Sequence, residues 1–260
     1  MKFKDIARTL AAWAPPSLAE SYDNVGLIVG LPNTECTGIL INLDVTEALL
    51  DEAIAKGANL ILTHHPIWFG ARKRLNGEDY VSRIIIKAIK NDIGLLACHT
   101  NLDNVQDGVN RRIGEVMGAN KMQILSPKGK MKEVGSGMIG YLPAPMAKRD
   151  FLQHVKDKFR CGGIRYADFP GETIHKVAWC GGAGSFLIGH ALRAGADAFV
   201  TGDITYHKYF DNENRLLLMD IGHYESEQYT SQLLHHYISE KFVSFAVHLS
   251  EIETNPVNYF

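Results

Sequence analysis

The sequence predicts an α/β fold made of two related, interlocked αβα units with mainly parallel strands. Three observations predict it. Short apolar runs alternate with amphipathic stretches along most of the 260 residues, the pattern of parallel strands joined by right-handed helical crossovers. One helix-strand segment of the first half matches a segment of the second half in register, which points to duplication. Ionisable side chains collect just past the apolar runs, where open α/β sheets present their ligand sites. The expected division is 1–125 for the first unit and 126–260 for the second, packed as one compact body.

In chain order, Ile6, Leu10 and Trp13 recur at helical spacing until Pro15 and Pro16 stop the segment. "SYDNVGLIVG" is a turn leading into an apolar run. "GILINLD" reads as a buried strand and "TEALLDEAIAKG" as a helix, with Thr46 as N-cap and Gly57 as the C-terminal stop. "ANLILTHH" is the next strand, "DYVSRIIIKAIKND" a helix, "IGLLACHT" a strand and "DGVNRRIGEVMG" a helix ending at Gly118. The character changes from about Ser126 to Glu172. "SPKGKMKEVGSG" reads as a loop, "MIGYLPA" as an edge strand closed by Pro143, and "MAKRDFLQHVKDKF" as an amphipathic helix. Alternation then resumes. "HKVAWC" is a strand, "GSFLIGHALRAG" a helix, "ADAFVTGD" and "RLLLMDIG" strands, "HYESEQYTSQLLHHYISEKF" one long helix and "VSFAVHL" the last strand.

The internal match aligns "EALLDEAIAKGANLILTHH" with "GSFLIGHALRAGADAFVTGD". Leu49 then meets Leu187, Ala53 meets Ala191, Gly57 meets Gly195, Ala58 meets Ala196 and Thr63 meets Thr201. Any helix-Gly-Ala-strand joint converges on some of these residues, but several matches without a gap favour duplication. The strand ends of both units are then expected to open onto a shared cleft.

Composition narrows the function. Hydrophobic residues make up 46% and charged residues 22%, with a formal net charge of −2, ordinary for a globular protein. "ARKRLNGE" and "KGKMKE" are short and mixed, so charge gives no indication of nucleic acid. "MKFKDIARTLAAWAPP" lacks the apolar core of a signal peptide and no stretch reaches membrane-spanning length, which implies a cytoplasmic protein with no membrane partner. Cys36, Cys98, Cys161 and Cys180 form no C-x-x-C pair; they are expected as small core residues, not as a zinc knuckle or a disulfide framework.

The strand ends carry the chemistry. Asp44 follows "ILIN", His64 and His65 follow "LILT", His99 and Asp103 follow "LLAC", Asp203 follows "AFVTG", and Asp220 and His223 follow "LLLM". Glu227 lies four residues after His223, on the same face of a helix. Neighbouring His64 and His65 imply that their strand has ended, as Pro66 supports. His64, His65, Asp103, His223 and Glu227 supply enough donors for two divalent ions if water and a bridging carboxylate complete the shells. Each of the vicinal histidines would take its own ion, with Glu227 as the bridge. His99 is a further ligand or a group behind one. Nitrogen and oxygen donors suit zinc, manganese or iron alike. Turn caps and a surface ion pair explain each residue singly, but not the repeated placement at strand ends.

"CGGAGSF" offers a second constellation. Gly181, Gly182 and Gly184, with Ser185, form either a phosphate cradle of free backbone amides at a helix start or a tight turn without ligand. The segment lacks the Walker ending and the dinucleotide pattern. Asp23 and Asn24 form a turn, or they contact substrate or support a ligand from behind. Asp44, Asp203 and His207 are candidates for supporting or proton-transfer roles. His235 and His236 have no carboxylate at helical spacing and read as packing or surface residues.

Together "YDNVGLIVG", "LTHHPI", "HTNLDNVQDGVN", "GGAGSF", "ADAFVTGDITYH", "IGHYESE" and "ETNPVNYF" resemble the GTP cyclohydrolase 1 type 2 homologue family, the NGG-interacting factor three-like proteins. The resemblance spans essentially the whole chain. It implies interlocked αβα units, a toroidal homohexamer and a dinuclear metal site whose ligands fall on His64, His65, Asp103, His223 and Glu227. Tyr22 departs from the Trp usual before the Asp-Asn pair, and the middle of the chain is too short for the extra domain of longer members. The function it implies is that of a metal-dependent hydrolase acting on a purine nucleotide, with His99 or Asp203 moving protons and the glycine segment holding the triphosphate. The alternatives are phosphoester hydrolysis, and a non-enzymatic metal-binding ring that serves as an interaction platform.

Overall fold

The computed structural model describes residues 1–129 and 131–260. Its elements begin with α1 (Phe3–Trp13), β1 (Gly26–Val29), β2 (Ile39–Asn42), α2 (Glu47–Ala55), β3 (Leu60–Thr63), α3 (Tyr80–Lys90), β4 (Gly94–Ala97) and α4 (Thr100–Asp103). Next come α5 (Val109–Met117), β5 (Asn120–Lys128), β6 (Met131–Ala147), α6 (Lys148–Lys158), β7 (Arg165–Ala167) and β8 (Thr173–Ala183). The chain ends with α7 (Ile188–Arg193), β9 (Ala198–Gly202), β10 (Leu217–Asp220), α8 (His223–Glu227), α9 (Thr230–Lys241) and β11 (Val247–Leu249). Among the described residues no helix is long and apolar enough to cross a membrane.

Two compact units result, Met1–Leu102 with Thr230–Pro256 and Asp103–Tyr229 with Val257–Phe260. A single cut after residue 125 therefore does not separate them. β11 pairs in parallel with β2, which returns the C-terminal region to the first unit, whereas α5 packs on β8 and β6 and so belongs to the second.

The first unit holds a sheet in the order β1-β4-β3-β2-β11. β4, β3, β2 and β11 run parallel and β1 pairs antiparallel at the edge. Every residue of β2, β3 and β4 is buried, as parallel strands covered on both faces require. Leu40, Ile61 and Leu95 sit in register across them and pack with Leu49, Leu50, Ile84 and Ile85 of α2 and α3. Each such side chain contributes about 1.5–3 kcal/mol by leaving water. Thr46 caps α2 by accepting from the Leu49 amide at 3.1 Å.

The second unit holds the order β5-β6-β8-β9-β10-β7, in which β8, β9 and β10 are parallel and the flanking pairs antiparallel. Ile139, Ala178, Phe199 and Leu218 form one cross-strand row under α7. On β8, Trp179 is fully buried, its indole N–H donating to the Asn110 carbonyl at 2.6 Å. The duplication has a geometric counterpart. β3 and β9 each lie between two parallel neighbours. Gly57 and Gly195 adopt φ of 67° and 66°, and the Ala58 and Ala196 amides donate to Ala53 and Ala191 at 2.9 and 3.1 Å, the same left-handed helix stop used twice.

Three expectations fail for physical reasons. "SPKGKMKEVGSG" is not a loop: it supplies the end of β5 and the start of β6, with Lys130 outside the described residues. The outer part of that hairpin is exposed on both faces, so it shows no hydrophobic alternation. "MIGYLPA" is not an edge, because β6 lies between β5 and β8. Pro143 is accommodated where the pairing with β8 slips between Tyr141 and Met146, so no ladder amide is needed there. The single long helix is two, α8 in the second unit and α9 in the first. The Gln228 side chain marks the break by donating to the Phe159 and Glu225 carbonyls. β7 is short, exposed at two of its three residues, and was not legible as a strand.

Candidate metal centre

In the first unit three imidazoles converge past the ends of β3 and β4. The chain turns sharply after Thr63, whose hydroxyl donates to the His65 carbonyl at 2.8 Å while the His65 amide donates to Leu43 at 3.0 Å. This turn lets neighbouring His64 and His65 face the same region. The His64–His65, His64–His99 and His65–His99 ring centroids are 4.9, 5.1 and 5.4 Å apart. One ring nitrogen of each lies within 4.8 Å of the others, a group able to hold a metal ion.

Each ring is held from behind at Nδ1. His64 Nδ1 lies 2.9 Å from the Cys98 carbonyl, His65 Nδ1 2.7 Å from Asp44 Oδ1 and His99 Nδ1 2.8 Å from Asp23 Oδ1. A carbonyl or carboxylate oxygen only accepts, so Nδ1 carries a proton and Nε2 is turned the other way. Asp44 is itself fixed by the Thr254 hydroxyl at 2.9 Å. Asp23 also accepts from the Asn24 amide at 2.7 Å and from the Thr100 amide and hydroxyl. Burial alone would raise both carboxyls. For Asp23 the hydrogen bonds from His99 and Thr100 outweigh it and hold the group down at about 2. For Asp44, His65 and Thr254 also outweigh burial and lower it.

The second unit repeats the device. Asp203, just past β9, adopts a left-handed φ of 53° and places Oδ2 2.7 Å from His223 Nδ1. Gly202 packs so closely on the Gly222–His223 backbone that a Cβ there would approach it to 2.9 Å. One helical turn on, Glu227 is 3% exposed and brings Oε2 within 3.2 Å of His223 Nε2. Asp103 closes α4, and its carbonyl accepts from the Asn110 side chain at 3.0 Å. Burial, then the Asp103 and Glu227 charges, push the Cys180 thiol well above its ordinary range.

The glycine segment serves a different purpose from a phosphate cradle. β8 continues through Gly181 and Gly182, and the Gly181, Gly182 and Gly184 amides donate to Asn110, Ser226 and Thr201 at 3.0, 2.9 and 2.9 Å. Ser185 begins a three-residue 3-10 turn, too short for a strong helix dipole. What the glycines provide is space: a Cβ on Gly182 would lie 2.6 Å from Glu227 Oε1 and 3.1 Å from His223. His207 is exposed beside Tyr206 and Phe210. His236, expected to have no carboxylate at helical spacing, pairs with Glu240 at 3.3 Å on the surface of α9.

The donor set fits divalent cations. Four imidazoles are clamped at Nδ1, and the Nε2 of one of them, His223, faces the buried Glu227 carboxylate at 3.2 Å, a pairing that a cation between them would satisfy. Carboxylate or carbonyl support at the far nitrogen is the usual backing of a metal-bound histidine. The sequence model of the Duf34/NIF3 family, NGG1p interacting factor 3, matches residues 1–256. The chain belongs to this family. It is 40% identical over 228 residues to a GTP cyclohydrolase 1 type 2 homolog of Clostridium perfringens, covering 87% of each chain. It is 36% identical over 229 residues to the protein of that name from Clostridium acetobutylicum, covering 87% of this chain and 85% of the relative. Among solved structures, Staphylococcus aureus protein SA1388 superposes with a TM-score of 0.91 at 30% identity, covering 100% of this chain and 99% of that one.

Sequence reasoning offered Asp44 as a supporting or proton-transfer candidate and Asp203 as a proton-transfer group, where the structure sets Asp203 behind His223, and it missed Asn110, Ser226, Thr254 and Tyr259. The Tyr259 hydroxyl lies 2.9 Å from Glu225 Oε1, in the turn between His223 and Glu227. No spacing rule links residues so far apart in the chain; only the returning C-terminal segment brings Thr254 and Tyr259 to their partners.

Proposed function

We propose that the chain is a metal-dependent hydrolase of the GTP cyclohydrolase 1 type 2 kind, acting on a purine nucleotide. In this reading two divalent cations, of zinc, manganese or iron, are held by His64, His65, Asp103, His223 and Glu227. The observation that supports it is the common clamping of the imidazoles at Nδ1, which turns each Nε2 away from its clamp and that of His223 toward Glu227, as ligation of a cation requires. The names of the relatives supply the purine substrate. When bound, such cations supply Lewis acidity and activate water near neutral pH. The chain's own groups do the rest. Asp44 and Asp203 orient His65 and His223, and Glu227, with two carboxylate oxygens, would be able to serve both cations. His99, its Nδ1 proton held by Asp23, offers Nε2 to take up and return a proton during attack on the ring.

The test is Glu227→Ala. Metal content by plasma mass spectrometry should fall, and GTP turnover should drop on the order of 100-fold or more. Turnover that survives the substitution contradicts the reading. A metal-loaded parent that turns over neither GTP nor simple phosphoesters replaces it with the non-enzymatic platform. The reading includes the homohexamer implied by family resemblance; sedimentation of the purified protein checks it, and a monomer contradicts it.

A further inference from the structure

The first unit carries a cleft of about 740 Å³ whose walls include Tyr22, Trp68 and Phe69, with Asp23 and Asn24 between them. Tyr22 is 65% and Phe69 51% exposed, a concentration of aromatic surface that marks a binding place. The walls are fixed. Trp68 packs partly against the core beneath, and the Asn24 side-chain amide donates to the Trp68 carbonyl at 3.2 Å, tying one wall to the other. Two lining residues adjoin the candidate metal centre: Asp23 holds His99 at 2.8 Å, and the Phe69 ring lies 5.6 Å from the His99 imidazole.

We infer that this cleft seats the planar heteroaromatic ring of the substrate, a purine-type base, beside His99; the inference rests on the hydrolase reading and deepens it. Aromatic walls hold such a ring by stacking, which requires a π-face and tolerates little else. The Asp23 oxygens are committed to His99, Thr100 and Asn24, so they hold the imidazole and not the ring edge. Asn24 and Ser21 line the same space, and an amide oxygen and a hydroxyl suit the ring's N–H edge. Asp23 and Phe69 of this lining both adjoin His99, so a ring seated there would turn a ring carbon, and not only a phosphate, toward the hydrolytic groups.

The test uses metal-free full-length protein, titrated with guanosine and with ribose 5-phosphate while tryptophan fluorescence is followed. Guanosine should quench and ribose 5-phosphate should not. Trp68→Leu should weaken guanosine binding about tenfold, and Tyr22→Ala, at an exposed position, should do so with the circular dichroism spectrum unchanged. Unchanged affinity in both variants, or equal quenching by ribose 5-phosphate, overturns the inference. So does a parent that binds no guanosine while Tyr22→Ala alters its sedimentation, since a second copy then covers the cleft. The readout needs neither metal nor turnover, so guanosine binding without hydrolysis sinks the hydrolase reading alone, and hydrolysis without guanosine binding sinks the base seat alone.

Discussion

His64, His65, His99 and His223 each meet an oxygen acceptor at Nδ1, and the groups behind them should be felt in metal binding. Asp44→Ala and Asp203→Ala remove a carboxylate that meets its histidine at the far nitrogen, Nδ1. Each is expected to weaken zinc binding about 10–100-fold with thermal unfolding little changed, as isothermal calorimetry and a melting curve will show; wild-type affinity in both variants contradicts the assigned role. Asp23 makes a pH prediction. Its carboxyl is depressed from 3.8 to about 2 in the fold, so its contribution is fully present above pH 4 and is lost as pH falls through 2. Metal-free protein should lose on the order of 1 kcal/mol of stability across that window after solvent screening. Asp23→Asn should flatten it in urea titrations at stepped pH. The histidines were legible in the sequence because they follow strand ends, where side chains meet ligands. Their backing was only partly legible. Asp44 and Asp203 also follow strands, but the Cys98 carbonyl is backbone and Thr254 lies on the far side of the chain.

At the scale of elements, the glycines separate space from conformation. Gly57 and Gly195 stop equivalent helices with positive φ and would meet nothing within 4 Å as alanine. Gly57→Ala and Gly195→Ala should each cost about 1 kcal/mol of stability and leave metal content unchanged. Gly182→Ala carries the same conformational cost, but its Cβ meets Glu227 and His223; it should lose metal as well. Paired denaturation and metal analysis distinguish the cases, and metal loss in Gly195→Ala contradicts the division. Central strands β2, β3, β4, β8, β9 and β10 were legible because parallel strands covered on both faces are continuous apolar runs. The β5–β6 hairpin was not, because its outer half is solvated on both faces and its register slips at Pro143.

At the scale of the whole molecule, the chain leaves the first unit after Leu102 and returns at Thr230, so its last stretch has two jobs. Residues 247–249 complete the first sheet beside β2, and beyond them Thr254 and Tyr259 reach the supports Asp44 and Glu225. Deleting residues 254–260 should keep the far-ultraviolet circular dichroism spectrum and lower zinc affinity about tenfold. Deleting from residue 243 removes β11 as well and should unfold the first unit. Equal metal binding in the first truncation and the parent contradicts this reading of the C-terminal segment. A boundary at residue 125 was the natural sequence division because the internal repeat gives no hint that α9 and β11 turn back.

The most direct test of the account is an anomalous-scattering map from zinc-soaked crystals of the full-length protein. Two peaks per chain are expected, with His64, His65 and His223 approaching through Nε2 at about 2.0–2.1 Å and with Asp103 and Glu227 supplying oxygen. No peak at these residues, or coordination through Nδ1 with Asp44 and Asp203 displaced, would contradict it.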